Sequence, residues 1–196
     1  MRHAQQAATE SLLTLRQTEA ALASDLVLAF GASRLLSDPP LEARHEGGSF
    51  TVWIEDVAGL IDVNTAHPAL LAALRDELGL ARQAGALTGP AGSAYDSLDG
   101  FALAHELGPD RRSRLAELAT VHSRRPGLSE EDVPPALRLL LTRSRLWSAQ
   151  GLPAELRSGP TYQTYRVLVR SGQRRRAVAT VRLPSSVQGR QVLSFH

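Results

Sequence analysis

Between residues 4 and 36 the chain carries no proline and a single glycine, Gly31. Leu12, Leu15, Leu22, Leu26 and Phe30 recur at steps of three, seven and four, which gathers them into one stripe of an α-helix. Arg16, Gln17, Glu19 and Asp25 fall mostly off that stripe. The pattern predicts a long N-terminal helix within residues 1–40, stopped at Asp38-Pro39-Pro40, where the proline rings exclude helical backbone. Its later apolar residues suit a sheet of the same chain. Leu12 and Leu15 lie beyond the reach of a small sheet and suit the helices of neighbouring subunits, where each buried leucine contributes ~1.5–3 kcal/mol.

After a polar, glycine-bearing link over residues 42–49 the period changes to two. Phe50, Val52 and Ile54 alternate with Thr51, Trp53 and Glu55, and Ala58-Gly59 turns the chain into Leu60-Ile61-Asp62-Val63. This predicts a β-hairpin over residues 50–63. Residues 64–150 then read as short, well-punctuated helices. Pro68 sits in a first turn, leucines 70, 71, 74 and 78 follow, and Gly79 stops the run. Ser97 is placed to cap a helix bearing Leu98, Phe101 and Leu107, closed by Gly108-Pro109. Ser129-Glu130-Glu131-Asp132 resembles a capping box before Leu137–Leu141. Strand signals return over residues 161–196: Tyr165, Val167 and Val169, then Ala177, Ala179, Val181 and Leu183, then Gln191 to Phe195. Strands flanking a helical block predict an α+β fold. The long helix packs on an antiparallel sheet (50–63 and 161–196), and an all-α domain (64–150) is inserted between strands two and three.

Composition narrows the chemistry. The 196 residues include no cysteine, which removes disulfides, thiolate zinc sites and cysteine nucleophiles. All 22 basic residues are arginine, so a P-loop lysine and Schiff-base chemistry are excluded. Residues 1–149 carry 14 arginines against 19 acids, whereas residues 150–196 carry 8 against Glu155 alone. An acidic body with a basic end implies two different surfaces. No stretch approaches the ~20 apolar residues that cross a bilayer. The start shows no signal-peptide pattern, so the chain is expected to be soluble as it stands.

No catalytic constellation emerges. The six histidines (3, 45, 67, 105, 122 and 196) show no four-residue helical pairing, and no GxSxG elbow is present. Asn64 and Thr65 read as structural caps for the first free amides of the next helix, worth ~1 kcal/mol. Arg174-Arg175-Arg176 and the paired short helices invite an alternative, a helix-hairpin-helix nucleic-acid-binding protein. Such hairpins present backbone amides through two glycines. Leu78-Gly79-Leu80 and Leu107-Gly108-Pro109 offer one each, and Pro109 has no amide. The helices therefore read as a scaffold, with no nucleic-acid partner.

Several phrases, in order, resemble the K-type minor pseudopilins of bacterial type II secretion (the GspK family). The strongest is Ile61-Asp62-Val63-Asn64-Thr65-Ala66-His67-Pro68 with leucines after it. Tyr95-Asp96-Ser97-Leu98-Asp99-Gly100-Phe101, residues 115–125 leading into Pro126-Gly127, Pro134-Pro135-Ala136-Leu137 and the strands at 179–183 and 192–195 are also family-like. The resemblance covers roughly residues 20–196. It implies a pilin-like helix on a sheet, with an insertion of the SAM or helix-hairpin-helix kind. It also implies a non-enzymatic subunit at the tip of a periplasmic pseudopilus that binds the I and J minor pseudopilins and, beyond them, secreted cargo. By the same resemblance Leu12, Leu15, Leu22, Leu26 and Phe30 are the partner interface. Contact with the inner membrane would run only through a segment missing before His3. No cofactor is expected. Calcium, which some family members bind, would rest on thin acidic content near Asp96 and Asp99.

Overall fold

A computed structural model describes residues 41–45, 48–80, 93–161, 164–171, 174–182 and 191–195. The helix expected within residues 1–40 lies outside the described residues, and so do Leu12, Leu15, Leu22, Leu26 and Phe30. In chain order the elements are β1 (Leu41–His45), β2 (Gly48–Asp56), β3 (Ile61–Asp62), α1 (Pro68–Leu78), α2 (Leu98–Ala104), α3 (Pro109–Leu118), β4 (Ala119–Thr120), α4 (Pro135–Arg143), β5 (Thr164–Ser171), β6 (Arg174–Arg182) and β7 (Gln191–Phe195). Single 3-10 turns stand at Val57–Gly59, Glu130–Asp132 and Ala154–Leu156. The class is α+β. The chain divides into two compact units, Met1–Glu55 with Tyr165–His196, and Asp56–Thr164.

In the first unit five strands are bonded in the order β1-β2-β5-β6-β7. β1 runs antiparallel to β2, with Leu41 opposite Val52 and His45 opposite Gly48. The expected polar link over 42–49 is therefore partly strand; Leu41 and Ala43 alone give too little alternation to mark it. β7 runs antiparallel to β6, with a register shift between Thr180 and Val181. Tyr165, Arg166, Val167 and Leu168 are buried in succession, so this part of β5 has neither face in solvent. Arg166 meets that burial with an ion pair, its Nη2 donating to Glu55 Oε2 at 2.8 Å.

The second unit corrects the expected hairpin over 50–63. β3 does not return along β2; Ile61 and Asp62 pair in parallel with Ala119 and Thr120. Burial explains why. Val57, Ala58, Leu60, Ile61 and Val63 are all buried with no period of two, the mark of a segment enclosed on every side. Asp56 ends β2 by capping the first 3-10 turn, its Oδ1 accepting from the Ala58 amide at 2.8 Å. The same oxygen accepts from the Thr161 hydroxyl at 2.8 Å, which ties the two ends of the unit together. The insertion thus begins before residue 64, ends after residue 150, and contains a short sheet rather than helices alone.

Local chemistry sets the helix limits. α1 starts at Pro68 under a cap from His67, whose Nδ1 accepts from the Ala69 amide at 3.2 Å. It stops at Gly79, which takes left-handed backbone at φ 62°. The Gly79 and Leu80 amides donate to the Asp76 and Arg75 carbonyls, a Schellman end. α2 starts at Ser97 as expected, its hydroxyl accepting from the Gly100 amide at 3.0 Å. It stops before Leu107, however, because Glu106 turns left-handed at φ 50°. Gly108-Pro109 opens α3 instead of closing α2. The expected capping box at 129–132 is a 3-10 turn in which the Ser129 hydroxyl donates to the Asp132 carboxylate. α4 begins later, at Pro135, and ends at Arg143, with a left-handed Arg145, φ 60°, two residues on.

The unit's core is Leu70, Leu74 and Leu78 of α1, Phe101 of α2, Leu115 and Leu118 of α3, and Leu137 and Leu141 of α4. Each such residue contributes ~1.5–3 kcal/mol through burial. Half-buried Glu77 joins three helices from the rim, accepting from Arg114 of α3 at 2.8 Å and Arg143 of α4 at 3.0 Å. Gly59 is required where the first 3-10 turn meets the second, because an added Cβ would run into the Asp132 carbonyl.

Candidate functional site

The phrase that carries the family resemblance forms one polar clasp inside the inserted unit. Asp62 is almost wholly buried, 1% exposed. Its Oδ1 accepts from the Asn64 amide at 2.9 Å, and its Oδ2 accepts from the Arg124 amide at 2.8 Å and the Ser123 hydroxyl at 3.2 Å. Arg124 is left-handed at φ 52°, a conformation held by that bond. Asn64 grips the chain around residue 95: its Oδ1 accepts from the Tyr95 amide at 2.7 Å, and its Nδ2 donates to the Tyr95 carbonyl at 3.0 Å. The Thr65 hydroxyl donates to the Arg125 carbonyl at 3.1 Å, and the His67 amide donates to the Pro126 carbonyl at 2.7 Å. The side chains of Asn64 and Thr65 thus bond to other loops and do not cap α1. His67 does, because the intervening turn at residues 62–66 carries Asn64 and Thr65 toward other loops.

Beside the clasp lies an aromatic cluster. Tyr95 meets Phe101 edge-on at 5.1 Å between centroids, and Phe101 lies 4.4 Å from the His105 ring. The Tyr95 hydroxyl and His105 Nε2 are 3.2 Å apart. Burial pushes the Tyr95 hydroxyl above its ordinary pKa. Burial, and then the nearby Arg75 charge, push His105 below its own. These groups fix the approach to α2, with the lone pairs of Asp62 committed to amides and a hydroxyl. The arrangement holds loops in place.

The arginines of α3 are likewise committed. Arg111 Nη1 donates to the Leu78 carbonyl at 3.2 Å, Arg112 Nε to the Leu107 carbonyl at 2.7 Å, and Arg114 to Glu77 and Glu117. Burial works against the Arg114 charge, but its bonds to Glu117 and Glu77 hold the pKa above the ordinary value. Arg174-Arg175-Arg176 opens β6. Among the described residues no three acids or histidines gather to hold a metal ion, and Asp96 and Asp99 are both exposed. Two exposed leucines escaped the sequence reading, Leu103 and Leu139. A signal for the second existed: Leu137, Leu139, Leu140 and Leu141 are too many leucines in five positions for one helix face to bury.

No protein-family model matches the sequence, and no curated protein is similar to it in sequence. In structure the chain is similar to a chain of the crystal structure of the GspK-GspI-GspJ complex from the enterotoxigenic Escherichia coli type 2 secretion system. The likeness has a TM-score of 0.52 at 12% identity and covers 97% of this chain and 98% of the other. No helix among the described residues is long and apolar enough to cross a membrane. At that identity what the two chains share is a fold, and they share it along almost their whole lengths.

Proposed function

We propose that this chain is a K-type minor pseudopilin of type II secretion, a non-enzymatic subunit at the tip of a periplasmic pseudopilus. The observation that carries the reading is the fold likeness over nearly all of both chains, to a structure whose components are named as a GspK-GspI-GspJ complex. The ordered phrases around Asp62, Ser97 and Pro126 support it independently. In this reading the N-terminal helix presents Leu12, Leu15, Leu22, Leu26 and Phe30 to the I and J minor pseudopilins. The inserted unit adds bulk at the end of the assembly, where no further subunit stacks. Anchorage in the inner membrane runs through the N-terminal side, and cargo contacts belong to the exposed tip. The role is carried by surfaces and calls for no cofactor.

Size-exclusion chromatography of the chain with the soluble heads of its own I and J pseudopilins tests this. The expected result is a discrete co-eluting complex that is lost in the Leu15→Asp/Leu22→Asp variant while far-UV circular dichroism keeps its helical signal. Separate elution of the wild-type chain, together with salt-dependent binding to DNA, would overturn it in favour of the nucleic-acid reading.

A further inference from the structure

The sheet of the first unit leaves one of its inner strands partly uncovered. β6 lies between β5 and β7. β7 pairs with it from Arg182, opposite Gln191, to Ala179, opposite Phe195. β6 itself begins well before that, at Arg174. Residues 174–178 therefore run past the end of β7, and among the described residues no strand pairs with them on that side. Successive residues of a strand turn their amides and carbonyls to alternate sides, so about half of the backbone groups in this stretch face the open edge. Such a row of donors and acceptors is a template for one more strand.

The charge on this side of the sheet has one sign. Arg166 and Arg170 belong to β5, Arg174, Arg175, Arg176 and Arg182 to β6, and none of β5, β6 and β7 contains an acid. The acids of the sheet stand on the other two strands, Glu42 on β1 beside Arg44, and Glu55 and Asp56 at the end of β2. Two of these are already taken: Glu55 accepts from Arg166 at 2.8 Å, and Asp56 accepts from the Ala58 amide and the Thr161 hydroxyl. Glu42 lies on the strand at the far edge of the sheet. From Leu156 onward the sequence holds no acid. Like charges on an edge keep similar strands from pairing with it. They leave it open to a strand of opposite charge, because opposite charges across a strand pair attract.

We propose that residues 174–178 of β6 are a docking edge for an extended acidic segment of a partner protein, which adds to the sheet in line with β7. Backbone bonds along the edge hold the segment, and the arginines select it by charge. The open stretch is about 17 Å long at about 3.4 Å per residue, so the contact is small and belongs with weak, transient interfaces. Two copies of this chain do not meet here edge to edge, since β6 of each carries the same charge. A foreign segment that adds to the edge ends there and does not propagate, which suits a subunit at the end of an assembly. The inference stands on the sheet and not on the secretion reading, and failure of either leaves the other standing.

Fluorescence anisotropy of a labelled peptide of about seven residues, glutamate alternating with threonine, titrated with the full chain up to about 1 mM, tests it. Saturable binding is expected, weaker in about 0.5 M than in about 0.05 M NaCl, because salt screens exposed charges. The same peptide N-methylated at every amide keeps its charge but cannot donate to the edge, so its affinity should be lower by about tenfold or more. The Arg174→Glu/Arg176→Glu variant should lose the glutamate peptide by a similar factor and bind its lysine counterpart instead. The N-methylated peptide is tested on the wild-type chain, so the outcome does not hang on that variant folding. Absence of binding up to about 1 mM, equal affinity for the two glutamate peptides, or a folded variant that keeps its affinity would each overturn the docking edge. So would tighter binding of a single-stranded oligonucleotide than of the unmethylated peptide, which would assign the arginines to phosphate.

Discussion

The Asp62 clasp and the ends of α2 and α4 both hold the chain in left-handed backbone, and they do so by different means. At the clasp a buried carboxylate reaches across the sequence to Arg124, whose φ is 52°. That bond ties the conformation to the carboxylate, so the residue at position 62 is constrained in its chemistry. At the helix ends the holding bonds are backbone to backbone. The Leu107 amide donates to the Ala102 carbonyl and the Leu146 amide to the Leu141 carbonyl, the same pattern that closes α1 at Gly79. The motif sets the turn there, and the residue in it is free to vary. Long-range ties constrain side-chain identity; local backbone ties constrain only conformation.

The largest effect should come from breaking the clasp. Asp62→Ala leaves the Asn64 amide, the Arg124 amide and the Ser123 hydroxyl without their acceptor in a buried site. At ~1–3 kcal/mol for each buried group left unsatisfied, partly relieved by water, the loss should be about 3 kcal/mol or more. Urea unfolding followed by far-UV circular dichroism measures it. Asp62→Asn should lose less, because one oxygen still accepts while the amide nitrogen faces a donor. A loss for Asp62→Ala below about 1 kcal/mol, the worth of an ordinary exposed hydrogen bond, would mean the loops are held by packing alone.

This difference in reach also decides what the sequence discloses. Ser97, Pro68, Gly79 and the strand at Gln191–Phe195 are legible because each acts on residues within one turn or one strand. The helical stripe of α1 is legible for the same reason. The path of β3 is not, because its partners lie near residue 120, and nothing local separates a returning strand from an enclosed one. Asn64 and Thr65 read as helix caps from their types. Their bonds go to Tyr95 and Arg125, which only the folded chain brings near. The stops at Glu106 and Arg145 carry no glycine to announce them. The exposed Leu103 and Leu139 escape for a related reason, since apolar periodicity marks what can be buried and not which leucine is left over.

The helix ends should respond in the opposite direction to the clasp. Left-handed backbone costs a residue with a Cβ about 1–2 kcal/mol, and glycine returns part of that gain as freedom in the unfolded chain. Glu106→Gly and Arg145→Gly should therefore each stabilise the chain by about 0.5–1 kcal/mol. Gly79→Ala should destabilise it by a similar amount through backbone strain, because an added Cβ there meets only the Arg111 guanidinium at 3.9 Å. Thermal melts of the three variants give the comparison directly.

The smallest effect concerns His105, where the clasp side meets the end of α2. Burial first, and the Arg75 charge second, hold its folded-state pKa below the ordinary value of about 6.5. On acidification the unfolded chain takes up this proton before the folded one does. Stability should thus be full above that ordinary value, decline as the pH falls below it, and level off once the folded His105 is protonated too. Both states of the ring can still meet the Tyr95 hydroxyl, as acceptor when neutral or as donor when charged, so the bond itself survives and the decline should be shallow. The measurement is the midpoint of urea unfolding at steps between pH 7.5 and 5, compared with His105→Gln, which keeps a polar tip near Tyr95 without the titration. A wild-type curve parallel to that of the variant would mean that the ring is open enough to water for Arg75 and burial to have no hold on it.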